Sequence, residues 1–344
     1  MSLPSPQPSA ADAVAVSADV LPDTVRQKEP VRESSARLSV EHETRYDYAY
    51  PVEMAHHIAC LRPLTDEAQN LRVFEMSVSP SPAQHSTRRD AFGNSRAYFS
   101  LNAPHSELVV KARSEVEIRP RYQGLQPEQS LHIAQVREQL VYRAHAPFEP
   151  AAEFAYASPY VPLHEELRAY ARESLHPSRP IAQGAIELMH RIHRDFRYAP
   201  ASTDISTPVL EVFHRREGVC QDFAHLMLGC LRACGLAARY VSGYLLTQPP
   251  PGQPRLVGAD ASHAWVSVWC PGLKAQRAGE WLGLDPTNDC LPGLNHVRVA
   301  YGRDFGDVTP LRGVIRGGGE HTLSVRVTTL PLDEATAAAD TKAD

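Results

Sequence analysis

The sequence predicts an α+β protein in which a small antiparallel β domain precedes a core where one apolar helix packs on an antiparallel sheet. Three observations carry this prediction. Apolar residues alternate at period two in several runs between Leu38 and Ile118. From Leu163 the spacing becomes helical, first at Leu163, Leu167, Tyr170 and Ala171, then at Ala182, Ile186, Met189, His193 and Phe196. An apolar helix, Cys220 to Ala233, is then followed by strand-like runs at 238–246, 262–270 and 281–285.

With 344 residues there is material for one large or two ordinary domains. The formal charge of -5, from 35 basic and 40 acidic side chains, gives no electrostatic draw toward nucleic acid or an anionic membrane, so neither is expected as a partner. The opening MSLPSPQPSAADAVAVSADV has no basic stretch ahead of an apolar core, and no apolar run of about 18 residues follows. A cytoplasmic chain is expected. Its six cysteines, Cys60, Cys220, Cys230, Cys234, Cys270 and Cys290, do not form a disulfide framework at this length, which leaves room for a reactive thiol.

Taken in order, residues 1–37 are rich in Pro, Ser and Ala, lack periodicity, and are expected to form a leader without fixed structure. A β domain spans 38–119. Its first strand carries Leu38, Val40, His42, Thr44, Tyr46 and Tyr48 on one face; others follow at Phe74 to Val78, at 97–101 after a Gly93-Asn94 turn, and at Val110 to Ile118. Residues 120–154 read as a connector with one helical stretch near AQVREQLVYRA. The core is placed at 155–330 and a tail without fixed structure at 331–344. Inside the core, Thr207-Pro208 signals a helix start, with Thr as N-cap and Pro at the first helical position, and that helix stops before Gly218.

The next helix raises the question of chemistry. Phe223, Met227, Cys230, Leu231 and Cys234 form its apolar stripe, Gly235 suits the position just past its end, and its length is about 21 Å. Cys220 sits in the first turn, where unsatisfied N–H groups and the macrodipole favour a thiolate and can receive an oxyanion. Position alone is weak evidence, because a lone cysteine is more often a packing residue. A nucleophilic thiol needs a base, and the base needs an orienting group. His263 opens the strand SHAWVSVWC on the face shared with Trp265, Ser267 and Trp269, and the run WLGLD ends at Asp285 before Pro286. If these strands pair antiparallel, the start of one meets the end of the other and Asp285 lies beside His263.

The segments GVCQDFAHLMLGCLRACGLAARYVSGYL, ASHAWVSVW and WLGLDPTND together resemble the bacterial transglutaminase-like superfamily, a branch of the papain-like cysteine enzymes. YDYAYPVEMAHHIACLRPL and DAFGN resemble the β-rich N-terminal domain that precedes that core in a bacterial group, and HVRVAYGRDFGDVTPLRGVIRGGG resembles the family's closing segment. The resemblance implies Cys220 as nucleophile, His263 as general base and acid, and Asp285 as the group that orients and stabilises the imidazolium. It implies no cofactor. All three tryptophans, Trp265, Trp269 and Trp281, follow Cys220, whereas the animal cross-linking enzymes of the family place an indole upstream to stabilise the oxyanion. Protein cross-linking is therefore disfavoured. Tyr198 stands upstream and offers a hydroxyl, with a core tyrosine as the alternative.

Other signals divide between chemistry and structure. Asp222 suits the helix start electrostatically and is read as a structural or positioning residue, although a charge there also opposes a thiolate. Gln221 is assigned either to the oxyanion site or to solvent, and His225 to a hydrogen-bonded structural role. HRIH (190–193) and CLRAC (230–234) have helical spacing without a second matching pair, so no metal site is expected. Asp304 is read as a loop brace and RGGGE as a turn. The expected function is cleavage of amide bonds in a peptide or protein substrate through an acyl-enzyme. The alternatives are acyl transfer to an amine and a peptide-binding module without catalysis. The β domain either selects substrate by edge-strand addition or covers one side of the cleft.

Overall fold

The computed structural model describes residues 35–145, 147–200, 202–247 and 262–333. Most of the expected leader and of the expected tail lies outside the described residues; Ala36 and Arg37, expected in the leader, open the first strand. The N-terminal region is built on one long strand, β1 (Ala36–Ala59), with β2 (Gln69–Ser79), β3 (Gln84–Arg89), β4 (Ser95–Leu101) and β5 (His105–Ile118). β1 serves two sheet segments: residues 36–47 pair with β5, and residues 55–59 pair with β4, with a register break between Asp47 and Val52 at the Tyr50-Pro51 step. Proline cannot supply a ladder donor, which suits it to that break. β3 (QHSTRR) is exposed throughout and carries no apolar alternation, so sequence patterning passes it over.

Beyond β5, α1 (Ile133–Leu140), α2 (Glu165–Ala171) and α3 (Ile181–Asp195) lead to a short parallel pair, β6 (Arg197–Tyr198) and β7 (Glu217–Gly218), separated by α4 (Val209–Arg215). Helix α4 begins one residue later than Thr207-Pro208 suggests, because Pro208 keeps an extended ψ of 142° and is itself the N-cap. Helix α5 (Cys220–Ala233) follows, then β8 (Ala238–Leu245), β9 (Ser262–Trp269), β10 (Trp281–Leu284), β11 (His296–Gly302) and the one-turn α6 (Phe305–Val308). The core sheet has the order β10-β9-β8-β11, all antiparallel.

Helix α5 is buried on more than its apolar stripe. Residues 222–232 are all buried, because the sheet lies against one side while α2, α3 and α4 cover the rest. The polar groups this buries are satisfied locally. Arg232 donates to the Ala238 and Arg303 carbonyls and to Ser158 Oγ, closing the helix end, and Gly235 takes the positive φ of 76° the chain needs to turn away. Phe223, Leu226, Met227, Val266, Val268 and Val297 meet in one apolar core.

The expected core boundary at residue 330 is corrected. The chain leaves the core after α6 and returns to the N-terminal region as β12 (Leu311–Gly317) and β13 (His321–Pro331), which pair with residues 52–59 and 38–48 of β1. The RGGGE turn makes this possible through three successive glycines with positive φ. The two regions share polar ties as well. Asn94 of the DAFGN turn exchanges hydrogen bonds with the Tyr301 backbone, Gln69 does so with Arg298, and Tyr244 Oη meets His42 Nδ1 at 3.1 Å. Through these ties the N-terminal region packs against β8 and β11 of the core sheet.

Gly243 in β8 marks the tightest point of the sheet. A Cβ there would lie 2.1 Å from the Val297 carbonyl oxygen and 2.5 Å from the Trp265 ring. Gly243→Ala must push β11 or Trp265 aside and is expected to cost about 2 kcal/mol or more. Denaturant unfolding reads this directly, and an unchanged midpoint would show that the ring moves freely.

Candidate active site

Cys220 is the first residue of α5, and its side chain is half-buried. The turn before it is tight because Gly218 has no side chain: a Cβ there would lie 2.8 Å from Asp222 Oδ2. That carboxylate accepts from Val219 N at 2.8 Å and from Thr203 Oγ1 at 2.6 Å, so Asp222 caps its own helix and points back at the turn. Burial raises its pKa, against the two hydrogen bonds that lower it. Asp222→Ala leaves a buried N–H without its acceptor and is expected to lower stability by about 1–2 kcal/mol in urea unfolding. No loss would mean that water replaces the cap.

Strand pairing delivers the rest. Leu284 pairs with Val266, which brings the end of β10 to the start of β9, and His263 Nε2 lies 2.7 Å from Asp285 Oδ2. Cys220 adjoins the same imidazole and is among the groups that raise it. Since Nε2 is engaged by the carboxylate, Nδ1 is the nitrogen left to face sulfur. Asp285 is fully buried and heavily supplied with donors. Besides His263, it receives His296 Nε2 at 3.1 Å, Asn288 Nδ2 at 2.7 Å, and the backbone N–H groups of Thr287 and Asn288 at 3.0 and 3.2 Å. Burial by itself would raise this carboxyl, but the hydrogen bonds from His263 and His296 hold it well below the ordinary range. Burial likewise works against the imidazolium of His263; hydrogen bonds to Asp285 and Cys220, with their charges, outweigh it and raise its pKa to about 10.

His296 and Asn288 are the functional neighbours that sequence patterning passes over. Asn288 lies within WLGLDPTND but has no pattern of its own. His296 lies two strands away on β11, with its Nδ1 2.8 Å from Asn295 Oδ1 and its Nε2 donating to Asp285. The only available signal was a histidine opening an alternating run, as His263 does. Three groups here, His263, Asp285 and His296, are close enough to suggest a metal ion. Their separations argue otherwise: two ligand atoms on one tetrahedral zinc ion lie about 3.3 Å apart, whereas His263 and Asp285 are at direct hydrogen-bond distance. Asp285 Oδ2 already accepts from three side chains.

The remaining expected residues divide cleanly. Tyr198 is 51% exposed rather than in the core, pairs with Gly218 two residues before Cys220, and has its pKa raised by burial and by the Cys220 charge. It therefore borders the thiol. Gln221 is half-buried in the first turn of α5. His225 is buried and accepts from Phe305 N, while Asp304 caps α6 through Gly306 N and accepts from Tyr160 N, so both serve the structure. His190 and His193 of HRIH grip the loop that carries Asp285, through Asp289 at 2.5 Å and the Thr287 carbonyl at 3.1 Å. Cys230 and Cys234 are buried. Trp265 packs against His263 and His296, on the histidine side of the site.

A thiol at a buried helix start, joined through histidine to a buried aspartate at the edge of an antiparallel sheet, defines a papain-like thiol fold. Residues 38–117 match the bacterial transglutaminase-like N-terminal region and residues 168–286 match the transglutaminase-like superfamily. An uncharacterized protein of Mycobacterium tuberculosis is 41% identical over 307 residues, 86% of this chain and 93% of its own length. The chain belongs to the transglutaminase-like superfamily, whose members are generally cysteine enzymes. It is similar over a shorter stretch, 34% over 138 residues, to a protein-glutamine gamma-glutamyltransferase of Pseudomonas aeruginosa, covering 38% of this chain and 20% of that protein. Among solved structures, a candidate cysteine protease from Cytophaga hutchinsonii superposes with a TM-score of 0.66 at 18% identity, covering 87% of this chain and 92% of that one, which shows a shared fold. Among the described residues, no helix is long and apolar enough to cross a membrane.

Proposed function

We propose that this protein cleaves amide bonds of peptides or proteins through a thioester on Cys220, with hydrolysis as the usual outcome. The observation that supports this is the juxtaposition of three groups: His263 is hydrogen-bonded to Asp285 at 2.7 Å, and Cys220 adjoins the same ring. His263 takes the thiol proton on Nδ1, and the carboxylate stabilises the imidazolium so formed. The thiolate adds to the carbonyl carbon, and the resulting oxyanion is received by N–H groups of the first turn of α5, which have no intrahelical acceptor. The C–N bond breaks as His263 returns the proton to the departing amine. Water then adds to the thioester with His263 as base, releasing the acid and the thiol. In this reading Tyr198 or Gln221 supplies a second oxyanion donor.

A second reading, transfer of the acyl group to an amine, is favoured by the likeness to the Pseudomonas glutamyltransferase. The two share every step up to the thioester and differ in what reaches it. Mass analysis of a peptide library after incubation with the protein, with and without excess primary amine, separates them. Hydrolytic products that disappear in Cys220→Ala, with turnover down about 10⁵-fold, are expected. Amine-adducted products would select transfer, and products that persist in Cys220→Ala would overturn both.

A further inference from the structure

A small cavity of about 30 Å³ lies where the core sheet meets the N-terminal region and connector. Its cationic lining is not balanced. Arg121 and Arg298 share one carboxylate, Asp66, with Arg298 Nη1 at 2.5 Å, and Arg298 also donates to Tyr301 Oη at 2.8 Å. Arg239 has no carboxylate partner among the described residues. Its guanidinium is sandwiched between two rings, 4.0 Å from the Trp281 centroid and 3.6 Å from that of Tyr301. Those faces satisfy the cation's π contacts but none of its in-plane N–H groups, and Nε is buried with no hydrogen-bond partner.

We infer that this cavity binds one small monovalent anion, a halide such as chloride, held by Arg239 with Arg298 and Arg121 across it. Of the four arginines that line the cavity, Arg119 is paired with Glu117, and the other three guanidinium groups, set against Asp66 alone, leave a largely buried surplus of positive charge, which is costly unless a counter-charge enters. The volume suits one small species. Burial lowers the Arg239 pKa to about 10; the charges of Tyr301 and Tyr122 oppose this, and those of Arg298 and Arg121 add to it. The anion would tie β8 and β11 of the core to the connector, behind His296, which also lines the cavity.

The test compares thermal unfolding of the full chain in sodium chloride and in sodium methanesulfonate at matched ionic strength. A saturable rise of about 5 °C specific to chloride is expected at high occupancy. Arg239→Met keeps an apolar stem between the two rings and should abolish the difference. If that variant does not fold, broadening of the chloride NMR line by wild-type protein, and a bromide peak in the cavity of soaked crystals, report on the site without it. Equal midpoints in the two salts, a chloride effect retained by Arg239→Met, or absence of bromide from the cavity would overturn the inference. So would Tyr301 phenolate absorption at neutral pH without chloride, since the balancing charge would then belong to the protein: burial raises this phenol, but the arginines around it prevail and lower it.

Discussion

Asp285→Ala will lower kcat by about 10³-fold to 10⁴-fold and destabilise the fold by about 3 kcal/mol, the largest combined effect expected of any residue in the site. The kinetic loss follows from what the carboxylate holds. His263 Nε2 donates to it at 2.7 Å, and without that bond the ring can rotate or take the other tautomer, leaving a protonated nitrogen toward sulfur. The structural loss follows because His296 and Asn288 also donate to Asp285, inside a fully buried pocket. Their donors are then left without an acceptor. The pH profile separates chemistry from damage. His263, raised to about 10 with Asp285 in place, keeps its proton far into alkaline solution. Removing the carboxylate must move the alkaline limb of kcat/KM toward neutrality. A variant that loses stability but keeps both kcat and the alkaline limb would remove Asp285 from the reaction.

Acidification will weaken the fold steeply between pH 6.5 and 4. His42 and His225 are buried, and that burial lowers each from 6.5 to about 4. Both are neutral in the folded protein, and the geometry agrees: His225 Nε2 accepts from Phe305 N, which a protonated ring cannot do. The unfolded chain binds these protons from about pH 6.5 downward, while the folded protein takes them up only near 4. Stability is therefore fully present above 6.5 and falls across that window, by up to about 7 kcal/mol for the pair. His263 acts in the opposite direction. Its raised value adds stability that is complete below 6.5 and is lost as pH climbs through about 10. A maximum near neutral pH follows. Urea unfolding at several pH values measures the slope, and His225→Gln, which keeps an acceptor for Phe305 N, should flatten it. An unchanged slope in that variant would mean that His225 is already charged in the fold.

Much of this protein is legible in local sequence. The alternation from Leu38 to Tyr48 and from Val110 to Ile118 is that of half-buried strands, and the two segments do pair with each other. Cys220 announces itself because a helix start is recognisable from spacing, and its first-turn amides follow from helix geometry alone. Asp285 and His263 are also predictable together, since antiparallel pairing across one loop sets their proximity by register. What stays hidden depends on strands far apart in the chain. His296 reaches Asp285 only because β11 pairs with β8, which pairs with β9. Residues 321–331 pair with the first strand across almost the whole chain, and nothing in their own pattern names that partner.

The sequence by itself determined the order of the elements, the residue types of the thiol, imidazole and carboxylate, and the strand register that joins the last two, because these rest on periodicity, caps and short connections. Only the tertiary structure decided that α5 is buried on every side, that the chain's end closes the N-terminal sheet, that His296 and Asn288 surround Asp285, and that arginines from distant segments converge on one cavity. Those features are set by burial and by charges brought together from distant segments, and no local pattern encodes the energy of such a meeting.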